Sequence, residues 1–262
     1  MKRILKVECE YHHDLFELPI ELLAEICQHD EVLWRFFAQY IPEFYEYTGK
    51  NTHQYLSLFA HQTFDTNSES QHYTCKLFNK LHSIYDHPAS FTIWFDDHEK
   101  TDYEYHWYYN DELHRSTKDE HGKTLPAVIE KGRDSDSKLE WRNHGKLHRT
   151  DCIHLNCNCN YTLHAYEEIW SDEVYRREWR INDILHRDND LPAIDDYDSK
   201  EYYINGKRHR ENDQPAYINS GDEPRRTWYY NDLHHREVND LGEALPAIIY
   251  DDGTMVWCYN DK

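Results

Sequence analysis

The chain has 262 residues, enough for one or two domains, and is strongly acidic: 50 aspartates and glutamates stand against 29 lysines and arginines, giving a formal net charge of −21. This charge disfavours nucleic-acid binding, no apolar run approaches the roughly 20 residues that a membrane-spanning helix needs, and early charges at Lys2, Arg3 and Lys6 argue against a secretory signal. The odd number of cysteines, seven, favours reduced thiols in a cytosol-like compartment over a disulfide scaffold.

Residues 1–62 are predicted to form a small N-terminal domain that is mostly helical. Apolar and polar residues alternate over residues 3–11, which predicts a short strand. The spacing then becomes helical, with a proline in the first turn and an apolar stripe behind it. This segment consists of Leu18, Pro19, Leu22, Leu23 and Ile26. The polar stretch 63–74 fits neither periodicity and is predicted to be a linker.

Residues 75–262 repeat one small unit roughly seven times, the first copy degenerate and the last truncated. Each clear copy has an aromatic residue, a two-residue turn signal, a histidine seven positions after the aromatic residue and an arginine directly after it; Pro-Ala usually follows. The aromatic and histidine positions are Trp107 and His114, Trp141 and His148, Trp179 and His186, Tyr202 and His209, Trp228 and His235, and Trp257 in the last copy. Such self-similarity predicts an array that works through its surface.

The turn signals predict tight β-hairpins. Asn, Asp and Gly tolerate the positive φ that both central positions of a primed turn require. If Asn110 and Asp111 are those positions, Trp107 lies opposite His114, and a protonated imidazole could add a cation–π contact. We therefore predict a mainly β fold, an elongated antiparallel β-hairpin array with a small N-terminal α-helical domain.

The same register predicts ion pairs on the opposite face of each hairpin. This Arg/Glu face is expected to be the wetter one, and the aromatic/His face the packed one. The predicted pairs are Arg149 with Glu140, Arg187 with Glu178, and Arg210 with Glu201.

The fixed order of aromatic residue, turn, His-Arg and Pro-Ala resembles the MORN-like repeats of large DNA viruses, particularly the marseillevirus-like ones. The resemblance covers roughly residues 75–262, with Asn or Asp in place of most turn glycines. It implies a viral protein located in the virion or the host cytoplasm and not secreted.

The segment from Leu18 to Ile26 resembles the opening of an F-box, a helical motif that docks on the Skp-type adaptor of a ubiquitin ligase. This resemblance implies adaptor docking through the apolar stripe at Leu18, Pro19, Leu22, Leu23 and Ile26, while the repeats hold a substrate. The alternative is a helical cap packed on the first repeat.

The histidines recur with the repeat, whereas a catalytic site is needed once, so we predict structural pairing and no enzymatic activity. One cluster falls where a Pro-Ala step is expected: Cys152, His154, Cys157, Cys159 and His164. Zinc favours four thiolate or imidazole ligands, so this loop could bind zinc; the alternative is an irregular loop with free thiols. No other cofactor is expected.

Together these features predict a non-enzymatic scaffold for protein–protein interaction. Its tyrosines, 22 in all, suit protein recognition. One expected role is a structural virion, capsid-associated or assembly component held by neighbouring virion proteins. The other is an F-box-like receptor that recruits proteins to a Skp/cullin-type ubiquitin ligase.

Overall fold

Strands and tight turns make up the architecture that the computed structural model describes, over residues 60–77, 79–96, 99–132, 136–151 and 162–262. This confirms the mainly β prediction. Within these ranges no helix is long and apolar enough to cross a membrane. The predicted N-terminal strand and helices, with Leu18, Pro19, Leu22, Leu23 and Ile26, lie outside the described residues.

In chain order the strands are β1 (Ala60–Thr66), β2 (Ser70–Leu77), β3 (Lys80–Leu81), β4 (Ser90–Asp96), β5 (Glu99–His106), β6 (Tyr108–Tyr109), β7 (Glu112–Leu113), β8 (Val128–Lys131), β9 (Ser137–Glu140), β10 (Arg142–Asn143), β11 (Lys146–Leu147), β12 (Tyr166–Trp170), β13 (Glu173–Glu178), β14 (Arg180–Ile181), β15 (Ile184–Leu185), β16 (Ile194–Asp196), β17 (Ser199–Glu201), β18 (Tyr203–Ile204), β19 (Lys207–Arg208), β20 (Tyr217–Asn219), β21 (Arg225–Thr227), β22 (Tyr229–Tyr230), β23 (Leu233–His234), β24 (Ile248–Tyr250) and β25 (Met255–Val256).

The strands form one long antiparallel meander and a row of short hairpins. The 15-stranded sheet runs β1-β2-β4-β5-β8-β9-β12-β13-β16-β17-β20-β21-β24-β25, with β3 beside β2. Each repeat leaves the sheet after its second long strand and makes a two-stranded hairpin: β6-β7, β10-β11, β14-β15, β18-β19 or β22-β23. The predicted hairpin meander is therefore confirmed.

The stretch 63–74, predicted to be a linker, forms most of the first long hairpin, β1 with β2. The side chain of Asn67 accepts hydrogen bonds from the backbone N–H groups of Glu69 and Ser70, both at 2.8 Å, and so forms the turn. The polar composition concealed a strand pair because the exposed strand β1 has few apolar positions to reveal its period.

The short hairpins have the predicted primed turns. Asn110 and Asp111 have φ values of 51° and 69°, and the turn residues of the other four hairpins are likewise positive in φ. The backbone N–H of His114 donates to the carbonyl of Trp107 at 2.9 Å, as the predicted register requires. Asn, Asp and Gly at these positions thus fix the hairpins locally.

The buried core is a row of aromatic and alanine residues, one of each per repeat. Each alanine carbonyl accepts a hydrogen bond from a backbone N–H of the copy before it, as from Trp107 to Ala127 at 2.9 Å and, in the degenerate first copy, from Cys75 to Ala89 at 2.7 Å. The alanines are 0% exposed: Ala89, Ala127, Ala165, Ala193, Ala216 and Ala247. A larger side chain has no room where the repeats meet.

Candidate functional site

Each buried aromatic ring lies beneath the arginine of its own repeat. The guanidinium carbon of Arg187 is 3.5 Å from the ring centre of Trp179, and that of Arg210 is 3.7 Å from Tyr202. The same stacking joins Trp107 to Arg115, Trp141 to Arg149, and Trp228 to Arg236. The cation over the ring is thus arginine, and the prediction of a histidine cation there is wrong.

The arginine also contacts the preceding repeat when that repeat has a short loop between its histidine and the alanine of its Pro-Ala step. These short loops are residues 83–88, 187–192 and 210–215. Nε and Nη2 of Arg236 donate to the two carboxylate oxygens of Asp213 at 2.7 and 2.8 Å. We call this arrangement the clasp. Its three copies are Asp86 with Trp107 and Arg115, Asp190 with Tyr202 and Arg210, and Asp213 with Trp228 and Arg236.

The arginine's own loop completes the clasp, and in the two clasps that contain tryptophan the indole adds a further hydrogen bond. Nη1 of Arg236 donates to the carbonyl of Pro246 at 3.3 Å, and the indole N–H of Trp228 donates to the backbone carbonyl of Asp213 at 3.0 Å. In the first clasp, burial alone would raise the pKa of Asp86, but hydrogen bonds from Arg115 and Thr117 lower it overall. Each clasp therefore ties two successive repeats together.

Where the loop of the preceding repeat is long, a backbone carbonyl of that loop accepts the hydrogen bond from the indole N–H. The indole N–H of Trp141 donates to the carbonyl of Thr124 at 2.7 Å, and Arg149 finds its carboxylate in its own loop, at Asp151. Trp179 similarly donates to Thr162 at 3.0 Å.

Among the described residues, the Nε of Arg187 is buried and has no hydrogen-bond partner. Burial and the nearby Arg177 lower the pKa of Arg187 to about 10, against the opposing effect of Asp195.

The predicted Arg–Glu pairs are wrong, and so is the prediction that this face is the wetter one. Glu140 and Glu178 are buried. Each of these glutamates binds a different arginine from the one predicted: Glu140 binds Arg142, Glu178 binds Arg176 and Arg180, and Glu201 binds Arg208. The predicted arginines lie on the aromatic rings instead, because the chain turns out of the sheet at each aromatic residue.

Three of the repeat histidines, His114, His148 and His186, accept a hydrogen bond from a turn residue of the next hairpin. Among the described residues, the buried Nδ1 atoms of His209 and His235 have no hydrogen-bond partner. Nδ1 of His148 accepts a hydrogen bond from the backbone N–H of Asn182, the first turn residue of the next hairpin, at 3.2 Å; Nδ1 of His186 does the same for Asn205 at 3.1 Å. An acceptor Nδ1 requires the neutral imidazole. The Nε2 of His186 lies 3.2 Å from Asp188, which suits a proton on Nε2.

The second turn residue forms a further link between hairpins. The backbone N–H of Asp183 donates to the carbonyl of Leu147 at 2.9 Å, and the Asp183 carboxylate accepts the Leu147 N–H at 2.8 Å. Where glycine stands at this position, as at Gly206, the backbone bond to Leu185 is made at 2.8 Å. Asp at this turn position therefore has a structural role beyond its turn preference.

The predicted repeat-core residues divide into buried rings, connecting histidines and one exposed exception. Trp107, Trp141, Trp179, Tyr202 and Trp228 are buried. His114 accepts from the backbone N–H of His144 and stacks on its ring at 4.4 Å, and burial together with His144 lowers the pKa of His114. His209 is buried, and His235 packs 4.8 Å from Tyr259. Trp257 is exposed.

Of the predicted zinc candidates, only His164 lies in the described residues; Cys152, His154, Cys157 and Cys159 lie outside them. His164 takes the proline position of a Pro-Ala step and sits edge-on between Trp141 and Trp179, with ring centres 5.2 and 5.8 Å away. Burial lowers the pKa of His164 to about 4, against the opposing charge of Glu167. Over the described ranges, no group of three or more His, Cys, Asp or Glu residues is placed to hold a metal ion.

The clasp aspartates were not among the predicted residues, although their position in the sequence is regular. Asp86, Asp190 and Asp213 each stand two residues before the proline of a short loop.

The family models contain no match for this chain, and the curated proteins contain no significant relative of it.

Proposed function

We propose that this protein is a non-enzymatic scaffold for protein–protein interaction, and that it serves as a structural or assembly component of a large DNA virus. The clasp is the observation that supports a scaffold. Its aspartate, aromatic and arginine side chains are used to hold successive repeats together, so the repeated chemistry serves the rigidity of the array.

The outer surface of the array supports a role in binding proteins. Large aromatic side chains are exposed at the tips of both the long and the short hairpins: Trp94, Tyr109, Trp170, Tyr197, Tyr230 and Tyr259. Exposed aromatic groups of this kind are typical of protein interaction sites. The viral assignment rests on the resemblance of the repeat pattern to MORN-like repeats, and it implies a location in the virion or the host cytoplasm.

Quantitative mass spectrometry of purified particles tests the structural role. A structural component should be present in many copies per particle and should cross-link to neighbouring virion proteins. Absence from purified particles, with the protein abundant in the infected cell, would exclude the structural role.

The second candidate is an F-box-like substrate receptor, which the segment from Leu18 to Ile26 favours. Affinity purification from infected cells should then recover the Skp-type adaptor. Leu22→Asp and Ile26→Asp should each abolish that recovery, because a charge would disrupt an apolar docking face. Lys76→Asp is the matched control, since Lys76 is an exposed residue of β2 outside the motif.

A further inference from the structure

A groove crosses one face of the long sheet, at the ends of the long strands away from the short hairpins. Its volume is about 340 Å³, its floor includes Glu104, Glu130, Lys138 and Glu168, and Trp94 and Trp170 line it as well. The two tryptophans are 39% and 56% exposed.

The strand register places these groups on one face. Glu104, Glu130, Lys138 and Glu168 are successive cross-strand partners on β5, β8, β9 and β12, so their side chains point to the same side. Trp170 is two residues beyond Glu168 on β12 and shares its face. Trp94 is likewise two residues beyond Thr92 on β4. Because Thr92 is the cross-strand partner of Glu104, Trp94 shares that face as well.

The length of the groove follows from the sheet. Four inter-strand spacings separate β4 from β12, which is about 19 Å at 4.7–4.9 Å each. An extended peptide covers this distance in about six residues. The groove, which has Trp94 near one end and Trp170 near the other, therefore fits a short extended segment.

The floor is negatively charged. The ammonium of Lys138 is held by Glu130 at 3.0 Å and Glu140 at 3.3 Å. Glu104 accepts one hydrogen bond, from the Thr92 hydroxyl at 2.9 Å, and Glu168 accepts one from the Tyr166 hydroxyl at 3.0 Å. Glu104 and Glu168 thus each contact a neutral donor through one oxygen, and among the described residues no cation pairs with either carboxylate.

We propose that this groove binds an extended basic segment of a partner protein. Arginine or lysine side chains at alternate positions of such a segment face one side, where they meet the carboxylates of Glu104 and Glu168 and the exposed indole of Trp170, whose ring packs 5.2 Å from that of Tyr175. The net charge of −21 attracts such a partner at long range. This inference names the partner class of the scaffold proposed above and rests on that proposal.

Fluorescence anisotropy with a labelled, end-capped hexapeptide that alternates arginine and glycine tests the proposal on the full chain. The wild type should bind this peptide, and should not bind the same peptide with glutamate in place of arginine. Glu104→Gln with Glu168→Gln should weaken binding by about tenfold, because the amides keep the hydroxyl contacts and lose the charge. Glu120→Gln with Glu237→Gln changes the net charge equally at exposed sites outside the groove and should leave the affinity within about twofold.

A matched pair of tryptophans distinguishes binding in the groove from nonspecific binding to exposed aromatic side chains. Trp170 and Trp257 are 56% and 55% exposed, and only Trp170 lines the groove. Trp170→Ala should weaken binding by about tenfold and Trp257→Ala should not. Equal effects within either pair of variants, or no binding by the wild type, would overturn the proposal. Either result with the protein still abundant in particles would reject the groove and leave the scaffold role intact.

Discussion

The carboxylate of Asp213 receives two hydrogen bonds, at 2.7 and 2.8 Å, from the guanidinium of Arg236, which belongs to the next repeat. The same pairing joins Asp86 to Arg115 and Asp190 to Arg210. The stability of the array should therefore depend on contacts between repeats as well as on the hairpins themselves.

A double-mutant cycle should detect this clasp. Asp213→Asn and Arg236→Gln in urea unfolding should show a coupling free energy of about 1 kcal/mol, since Asp213 is half exposed and solvent screens the pair. Asn tolerates the positive φ at position 213, so the change removes the charge without adding backbone strain. Asp213→Asn combined with Arg187→Gln should give no coupling, because Arg187 belongs to an earlier repeat.

The buried ring of the repeat should dominate its stability. Trp179→Ala is expected to lower the free energy of unfolding by about 3–5 kcal/mol, because it removes a buried indole and leaves Arg187 without its ring. Trp257→Ala, at an exposed indole, should cost much less. Calorimetric melting of both variants measures this, and equal small shifts would show that the indole row is not the core.

The alanine row should tolerate no enlargement. Ala216 is fully buried against the neighbouring repeat, so Ala216→Leu should destabilise the protein by about 1–3 kcal/mol through overpacking. Ala244→Leu is the control, since Ala244 is exposed in a long loop. If Ala216→Leu were as stable as Ala244→Leu, the repeats would be packed less tightly than the full burial of Ala216 indicates.

The histidine contacts between hairpins should appear in amide exchange. His186→Leu removes the Nδ1 acceptor of the Asn205 N–H, and the exchange of that amide should accelerate by about tenfold. His186→Asn keeps a side-chain oxygen acceptor at this position and should retain part of the protection. Unchanged exchange of the Asn205 amide in His186→Leu would contradict this role.

Stability should fall in mild acid because of His164. Its folded pKa is about 4, below the roughly 6.5 of an unfolded histidine, so the unfolded chain binds the proton more tightly. The stabilisation is complete above the unfolded pKa and is lost as the pH falls from about 6.5 towards 4. Glu167 attracts the proton while Arg149, Arg177 and Arg187 repel it, and burial is the largest effect.

Urea midpoints at several pH values between 7.5 and 5 test the role of His164. His164→Pro installs the residue that most repeats have there and should reduce the loss of stability in acid. His121→Gln should keep the wild-type pH dependence, since His121 is exposed. If all three proteins lose stability equally, the other histidines account for the effect.

Local residue preferences were enough to predict the hairpins. The φ preferences of Asn, Asp and Gly act within two residues, so Asn110-Asp111 and its equivalents fix the turns, and the turns fix the register that sets Trp107 opposite His114. The recurring aromatic residue likewise predicted the buried positions from Trp107 to Trp228, because each copy buries the same contact.

The partners of those side chains depend on how the repeats stack in the folded protein. Arg236 reaches Asp213 in the preceding repeat, and Arg149 reaches Asp151 in its own loop, because the length of the preceding loop decides whether an aspartate arrives beside the ring. Hairpin pairing alone had assigned Arg149 to Glu140. A turn obeys the local backbone, whereas the partner of a long charged side chain depends on how whole repeats stack.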